Sequence, residues 1–267
     1  MRVALIQLNA GADKNNNLKH AARMASEALA KGAKFVLLPE IFHWRGDTRD
    51  PAKVTASSET AKGPTFRAFA KLAREHKAFV LIGSIFERTS KSPKPYNASV
   101  FIDDQGRLGA KYRKIHLFDA RLGDKIIREG DCFLAGKKGA MARAGEFTVG
   151  LSVCYDVRFP ELYRGYARRG ADVLTVPSCF TQRTGRAHWE PLLRARAIEN
   201  LCYVLAPNQV GPDARQVEAH GNSMIISPWG EVLACGSSDK EEIVYGDIDK
   251  AQVTKARATL PGIIKRI

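Results

Sequence analysis

Two stretches of this chain are near copies of each other. Gly32-Ala33-Lys34-Phe35-Val36-Leu37-Leu38-Pro39-Glu40 returns as Gly170-Ala171-Asp172-Val173-Leu174-Thr175-Val176-Pro177-Ser178, 138 positions later. Residues 75–82 likewise parallel 199–206, and the stretch from Asn97-Ala98-Ser99 to Gly106 parallels that from Asn222-Ser223-Met224 to Gly230, at spacings of 124 and 125. Extra residues after Glu40 shorten the register. Such a duplication predicts two like halves that make one pseudo-symmetric body.

Each half alternates strand and helix. In the first, residues 3–8 have strand character, and Leu18, Ala21, Ala22, Ala25 and Leu29 form one stripe of a helix over 16–31. Gly32 then stops the helix ahead of a strand over 35–38. The second half has the same plan, with a strand at 148–153, a helix at 162–169, Gly170 and a strand at 173–176. A further helix and strand follow in each, then strands joined by turns at Asp103-Asp104-Gln105-Gly106 and Pro228-Trp229-Gly230. Apolar runs such as Phe79-Val80-Leu81-Ile82 suit sheets covered on both faces. The prediction is an α/β fold with two stacked mixed sheets and helices outside, a four-layer α-β-β-α sandwich with an internal pseudo-two-fold repeat. No flexible linker divides it, so residues 1–267 are read as a single domain.

Composition narrows the class. Apolar residues at 45% and charged residues at 26% are those of a folded globular chain and exclude intrinsic disorder. The longest apolar runs fall far short of the ~20 residues of a membrane span. Met1-Arg2-Val3-Ala4-Leu5-Ile6 lacks the apolar core and cleavage site of a secretory signal, so a cytoplasmic location is expected. Five cysteines at 132, 154, 179, 202 and 235 have neither metal-site spacing nor a disulfide framework, and most are expected to be buried thiols. A net charge of +14 attracts nucleic acid weakly and without specificity. With no basic tail and no aromatic-studded RNA motif, that charge reads as solvated surface and no specific nucleic-acid partner is expected.

Three chemically capable side chains fall at strand ends. Glu40 follows the strand at 35–38, Cys154 follows the strand at 148–153, and Lys114 ends a third strand in Lys111-Tyr112-Arg113-Lys114. The carboxyl edge of a sheet is where α/β proteins commonly place ligands. A thiol needs a base and a nearby positive charge or helix N-terminus to become a nucleophile, and Glu40, Lys114 and the helix start after Cys154 supply these types. From residue types alone, a buried structural thiol is the commoner role for such a cysteine.

Leu38-Pro39-Glu40, Tyr112-Arg113-Lys114-Ile115-His116-Leu117-Phe118-Asp119 and Cys154-Tyr155-Asp156-Val157-Arg158-Phe159-Pro160-Glu161-Leu162 resemble, in order, the three signature segments of the nitrilase-like carbon–nitrogen hydrolases. The likeness runs on through Thr184-Gly185-Arg186-Ala187-His188-Trp189-Glu190 to Ser227-Pro228-Trp229-Gly230-Glu231 and covers nearly the whole chain. It is strongest toward amidases of deaminated glutathione and of alpha-ketoglutaramate. The resemblance implies the same four-layer fold and hydrolysis of a terminal carboxamide to carboxylate and ammonia through a cysteine thioester. In it Cys154 is the nucleophile, Glu40 the base, and Lys114 with the Tyr155 backbone N–H the oxyanion hole. Glu129 matches a second active-site glutamate. A small-molecule amide is the substrate, no metal or organic cofactor is required, and a homodimer or higher homo-oligomer forms through the helices after Cys154 and His188.

Other residues carry two readings. Arg158 matches a position that binds substrate carboxylate in carbamoylases, or it pairs with Asp156 or Glu161 to shape the turn, and the structural role is favoured. Phe180, Arg183, Thr184 and Arg186 should lie beside the pocket by resemblance, with Arg186 where relatives usually have proline. His43-Trp44-Arg45 departs from the relatives and leaves the pocket's shape open. His116 reads as a core histidine bonded to backbone, Cys132 and Cys179 as bystanders, and Trp189 as packing or dimer contact. The ending Lys265-Arg266-Ile267 lacks the long tail that many relatives wrap around a partner. Nitrilase and carbamoylase chemistry remain alternatives, as does a catalytically idle basic scaffold that binds nucleic acid, against which the intact Glu40, Lys114 and Cys154 argue.

Overall fold

In the computed structural model, which describes residues 1–122 and 125–262, the first half runs β1 (Arg2–Gln7), α1 (Lys14–Ala30), β2 (Phe35–Leu37), α2 (Pro51–Ser57), α3 (Pro64–His76), β3 (Phe79–Thr89), β4 (Ser92–Ile102) and β5 (Leu108–Arg113). A ribbon of β6 (Asp119–Leu122) and β7 (Lys125–Arg128) follows. The second half runs β8 (Ala140–Ala144), β9 (Phe147–Leu151), α4 (Pro160–Arg168), β10 (Val173–Thr175), α5 (Gln182–Asn200) and β11 (Tyr203–Ala206). A second ribbon of β12 (Val210–Pro212) and β13 (Glu218–His220) precedes β14 (Met224–Ile226), β15 (Val232–Cys235), β16 (Glu242–Asp247) and α6 (Lys250–Thr259). Lys265-Arg266-Ile267 lies outside the described residues.

Two six-stranded sheets form, in the orders β16-β1-β2-β3-β4-β5 and β8-β9-β10-β11-β14-β15. In each, three central strands are parallel, an antiparallel strand closes one edge and two antiparallel strands follow on the other. The two sheets share one pattern of parallel and antiparallel neighbours, but the closing edge strand of the first, β16, comes from near the end of the chain, while that of the second, β8, directly precedes β9. Even the helix ends match: Lys77 after α3 and Leu201 after α5 are both left-handed, with φ of 48° and 49°.

Side-chain alternation sorts the layers. Val3, Leu5, Phe35, Leu37 and Leu81 from one sheet share a core with Phe147, Val149, Leu151, Val173 and Leu205 from the other. The opposite faces, Ala4, Ile6, Val36 and Val80, pack under α1 and α3, while Leu174, Val204 and Ile226 pack under α4 and α5. The result is the expected α-β-β-α sandwich. Helix starts are locally encoded: the Asp13 carboxylate accepts the N–H groups of Asn15 and Asn16, and Asp50 those of Ala52 and Lys53. Pro51, Pro64 and Pro160 open α2, α3 and α4, where a missing N–H costs nothing.

Candidate active site

Glu40 stands three residues past β2, Lys114 one past β5 and Cys154 three past β9. Two glycines make room for this convergence. A Cβ on Gly83 would lie 1.9 Å from the Leu38 carbonyl oxygen, so only glycine lets β3 approach the end of β2. One on Gly136 would lie 2.1 Å from the Arg113 oxygen, where the Gly136 N–H donates to the Lys114 carbonyl at 2.8 Å. Ile41, just after Glu40, and Cys154 itself adopt left-handed backbone, with φ of 50° and 47°. That conformation costs roughly 1–2 kcal/mol in a non-glycine residue, and here it is held by the Ile41 N–H on Ser84 Oγ at 2.9 Å and the Cys154 N–H on the Pro177 oxygen at 2.9 Å.

The Lys114 ammonium, 2% exposed, is shared by two carboxylates. It donates to Glu40 Oε1 at 3.0 Å and to Glu129 Oε1 and Oε2 at 3.1 and 2.8 Å. Asn97 Nδ2 bridges the same two carboxylates, at 2.9 Å from Glu40 Oε1 and 3.1 Å from Glu129 Oε1. Glu40 Oε2 accepts the Cys179 N–H at 2.9 Å, and Glu129 Oε2 accepts the Phe118 N–H at 2.6 Å. Burial alone would lower the ammonium's pKa, but the charges of Glu129 and Glu40 win and hold it well above the ordinary lysine value. Burial, and then the charge of Glu40, push the Cys154 thiol well above its ordinary value, while Lys114 and the Cys179 N–H pull less strongly the other way. Cys154 therefore rests as a thiol, which would need a base to become a nucleophile.

Asp156 pins the turn that carries Cys154. Fully buried, it accepts the Tyr112 hydroxyl at 2.8 Å, the His116 N–H at 3.1 Å, His116 Nδ1 at 2.7 Å and the Val153 N–H at 2.9 Å. His116 thus pairs with a carboxylate where a backbone partner was expected. Its ring stacks on Phe159 at 3.6 Å, and it does not line the cavity in front of Cys154.

That cavity measures about 850 Å³ and is lined by Glu40, Lys114, Glu129, Cys154, Tyr155 and Arg158 together with parts of both ribbons and the loop after Glu40. Its size is that of a small-molecule site. These observations fit a reaction in which a base, a cation and a thiol act on one electrophilic carbon. Residues 2–258 match the carbon-nitrogen hydrolase family. The chain belongs to that family. A deaminated glutathione amidase of Synechocystis sp. is 36% identical over 268 residues, covering 99% of this chain and 97% of its own. The structure of Nit3 of Saccharomyces cerevisiae, a member of branch 10 of the nitrilase superfamily, is similar with a TM-score of 0.87 at 31% identity, covering 98% of this chain and 94% of that one. A variant of the amidase of Nesterenkonia sp. AN1 carries acrylamide joined by Michael addition to its active-site cysteine, and is similar with a TM-score of 0.78 at 26% identity over 98% of each chain.

As a carbon-nitrogen hydrolase the chain is an enzyme, and its structure rearranges several of the sequence expectations. Phe180 and Thr184 line the cavity, but Arg183 and Arg186 do not. With 3.6 residues per turn, α5 turns Thr181, Thr184 and Gly185 inward and leaves Arg183 and Arg186 exposed. Arg158 pairs with neither Asp156, whose oxygens other donors occupy, nor Glu161. It lines the cavity beside the Tyr155 and Phe180 rings, with Nη1 3.3 Å from His188 Nδ1. The backbone N–H of Cys179 holds Glu40, and Cys179 and Cys132 are both among the residues that line the cavity. Trp189 is fully buried and donates to the Asn222 oxygen at 2.7 Å, which makes it packing within one subunit.

Sequence reasoning passed over Asn97, and it tied the pocket's shape to His43-Trp44-Arg45 without giving Arg45 a contact. Asn97 lies within the repeated segment, where its side chain had no visible role. The Arg45 guanidinium, 2% exposed, donates to Asn9 Oδ1 and to the Val210, Gly211 and Val217 oxygens at 2.9 to 3.2 Å. Arg45 thereby ties the loop after Glu40 to the second ribbon and sets one wall of the cavity. No group of three or more potential metal ligands occurs among the described residues.

Proposed function

We propose that this enzyme hydrolyses the carboxamide at the far end of an alpha-keto acid through a thioester on Cys154, with deaminated glutathione or an alpha-keto acid amide as substrate. The observation that carries the reading is the buried Lys114 ammonium held between Glu40 and Glu129 at the wall of a cavity that Cys154 also lines. Similarity to deaminated glutathione amidases supports the substrate class.

In this mechanism Glu40 takes the Cys154 proton as the sulfur attacks the amide carbon. The oxygen becomes an anion that Lys114 and the Tyr155 N–H stabilise. Glu40 returns the proton to the amide nitrogen, the C–N bond breaks and the amine leaves. Water then adds to the thioester while giving its proton to Glu40, the C–S bond breaks, and that proton goes back to sulfur. Glu129 and Asn97 keep Lys114 and Glu40 in place throughout. A primary carboxamide releases ammonia, whereas the amide nitrogens of deaminated glutathione carry carbon, so its leaving group is the amine of cysteinylglycine. Arg158, without a carboxylate partner among the described residues, is the proposed anchor for a substrate carboxylate.

Two features of the assembly belong to the same proposal. Residues 1–267 act as one domain that forms a homodimer through the outer faces of α4 and α5, where Ile198 and the neighbouring Trp229 are exposed. Five free cysteines suit a cytoplasmic setting.

The test follows 2-oxoglutarate, a product common to deaminated glutathione and alpha-ketoglutaramate, with Cys154→Ala as control. Turnover that the substitution abolishes supports the proposal, and the better substrate identifies the physiological class. Silence on both, with turnover of a carbamoyl compound or a nitrile instead, would reject the substrate while keeping the chemistry.

A further inference from the structure

Cys132, Cys154 and Cys179 all open on the same cavity, and hydrolysis uses only one of the three thiols. Register places Cys179 beside Cys154. β9 and β10 pair in parallel with Leu151 opposite Thr175, so the same count sets Cys154 opposite Ser178, one residue from Cys179. The Cys154 N–H bond to the Pro177 oxygen shows that the two segments stay in contact beyond the strands. Both cysteines thus reach the same cavity from neighbouring strand ends, which is the placement a disulfide between them requires. The Cys179 N–H donates to Glu40 Oε2, and the charge of that carboxylate also acts on the Cys154 thiol.

Burial holds the pKa of the Cys179 thiol above the ordinary thiol value, and the charge of the buried Arg45 guanidinium offsets this only in part. In an attack on an oxidised sulfur Cys179 therefore acts as a thiol whose proton leaves with the departing group.

We propose that Cys179 is a resolving thiol that pairs with Cys154 in a peroxide-responsive, reversible off state. Hydrogen peroxide transfers one oxygen to the Cys154 sulfur, giving the sulfenic acid and water, with Glu40 taking the thiol proton as it does in hydrolysis. The Cys179 sulfur then attacks the Cys154 sulfur. The S–O bond breaks, the departing hydroxide collects the Cys179 proton as water, and a disulfide remains. A dithiol returns both thiols. The disulfide blocks the nucleophile while shielding it from the irreversible sulfinic acid.

The experiment treats the full-length protein with a few equivalents of hydrogen peroxide, caps free thiols with iodoacetamide and digests with trypsin without reductant. Cleavage at Arg128, Lys137, Arg143, Arg158, Arg169 and Arg183 puts the three cysteines on separate peptides. The expected product is the Cys154 peptide joined to the Cys179 peptide, forming in step with loss of activity and reversed by dithiothreitol. In Cys179→Ala, and equally in Cys179→Ser, the cross-link is absent, Cys154 proceeds to sulfinic acid, and dithiothreitol restores little of the variant's own starting activity. Wild-type Cys154 recovered as sulfinic acid beside a capped Cys179, joined to Cys132, or unmodified after inactivation would overturn the proposal. The cross-link is read by mass, so this result stands apart from the choice of substrate.

Discussion

The ends of β2 and β10 are equivalent places in the two halves, yet they do different work. β2 runs into Pro39-Glu40, whose carboxylate enters a buried cluster with Lys114 and Asn97. β10 runs into Pro177-Ser178, where the Ser178 hydroxyl turns back to the Val176 oxygen at 3.0 Å and only backbone groups face the chemistry. The Pro177 oxygen holds the Cys154 N–H, and the Cys179 N–H holds Glu40. One platform thus supplies charge and the other supplies position. In the proposed mechanism a duplicated frame needs only one acid–base group, because the proposed nucleophile, Cys154, follows the neighbouring strand, β9, of the other half.

Removing the charge from the first platform should have the largest effect. Lys114→Ala is expected to lower kcat/KM by about 10²–10³ or more, and to destabilise the fold by leaving Glu40 and Glu129 as adjacent unpaired carboxylates. A near-wild-type rate in steady-state assays would remove Lys114 from the mechanism. Glu40→Gln separates the base from the nucleophile. Turnover should be lost, while the midpoint of Cys154 alkylation against pH moves down, because a neighbouring negative charge that raises the thiol's pKa has gone. An unchanged or higher midpoint would mean that the two groups are not coupled.

Smaller effects test the second half. Arg158→Ala should raise KM for a carboxylate-bearing amide about 10- to 100-fold, the worth of one charged hydrogen bond, with little change for an uncharged amide of similar size. Equal losses on both would return Arg158 to a structural role. His43, fully buried, accepts the Phe86 N–H at Nε2, and burial followed by the Lys14 charge holds its pKa well below the ordinary histidine value of 6.5. Below that pH the unfolded chain binds a proton that the folded chain refuses, so stability is lost as pH falls, by up to about 1.4 kcal/mol per pH unit. Urea unfolding of His43→Gln at pH 7 and pH 5.5 should show a shallower loss than wild type. The smallest changes are expected for Arg183→Ala and Arg186→Ala, which lie outside the cavity and should leave KM within about twofold, since exposed positions of this kind move free energies by about 0.5 kcal/mol.

Much of the frame was legible because it rests on local patterns. Helix caps at Asp13 and Asp50, glycines at 32 and 170, and alternation in the strands are short-range, so their readings needed adjustment only at the element ends. Residues whose role depends on two distant segments meeting were not legible. Asn97 joins Glu40 to Glu129 across 57 and 32 positions, and Arg45 reaches Val217 across 172. Arg183 and Arg186 show the converse, since a motif put them near the site and the helix phase turned them away.

The sequence by itself determined the alternation of strands and helices in each half and, through its resemblance to carbon–nitrogen hydrolases, the reaction class, because the repeat and the three signature segments are continuous stretches. Only the tertiary structure decided which cations line the cavity, that His116 binds Asp156, and that Cys179 and Cys154 line the same cavity. Those outcomes depend on helix phase, on register beyond the strand ends and on burial shared by distant segments, and none of these is a property of a single stretch of chain.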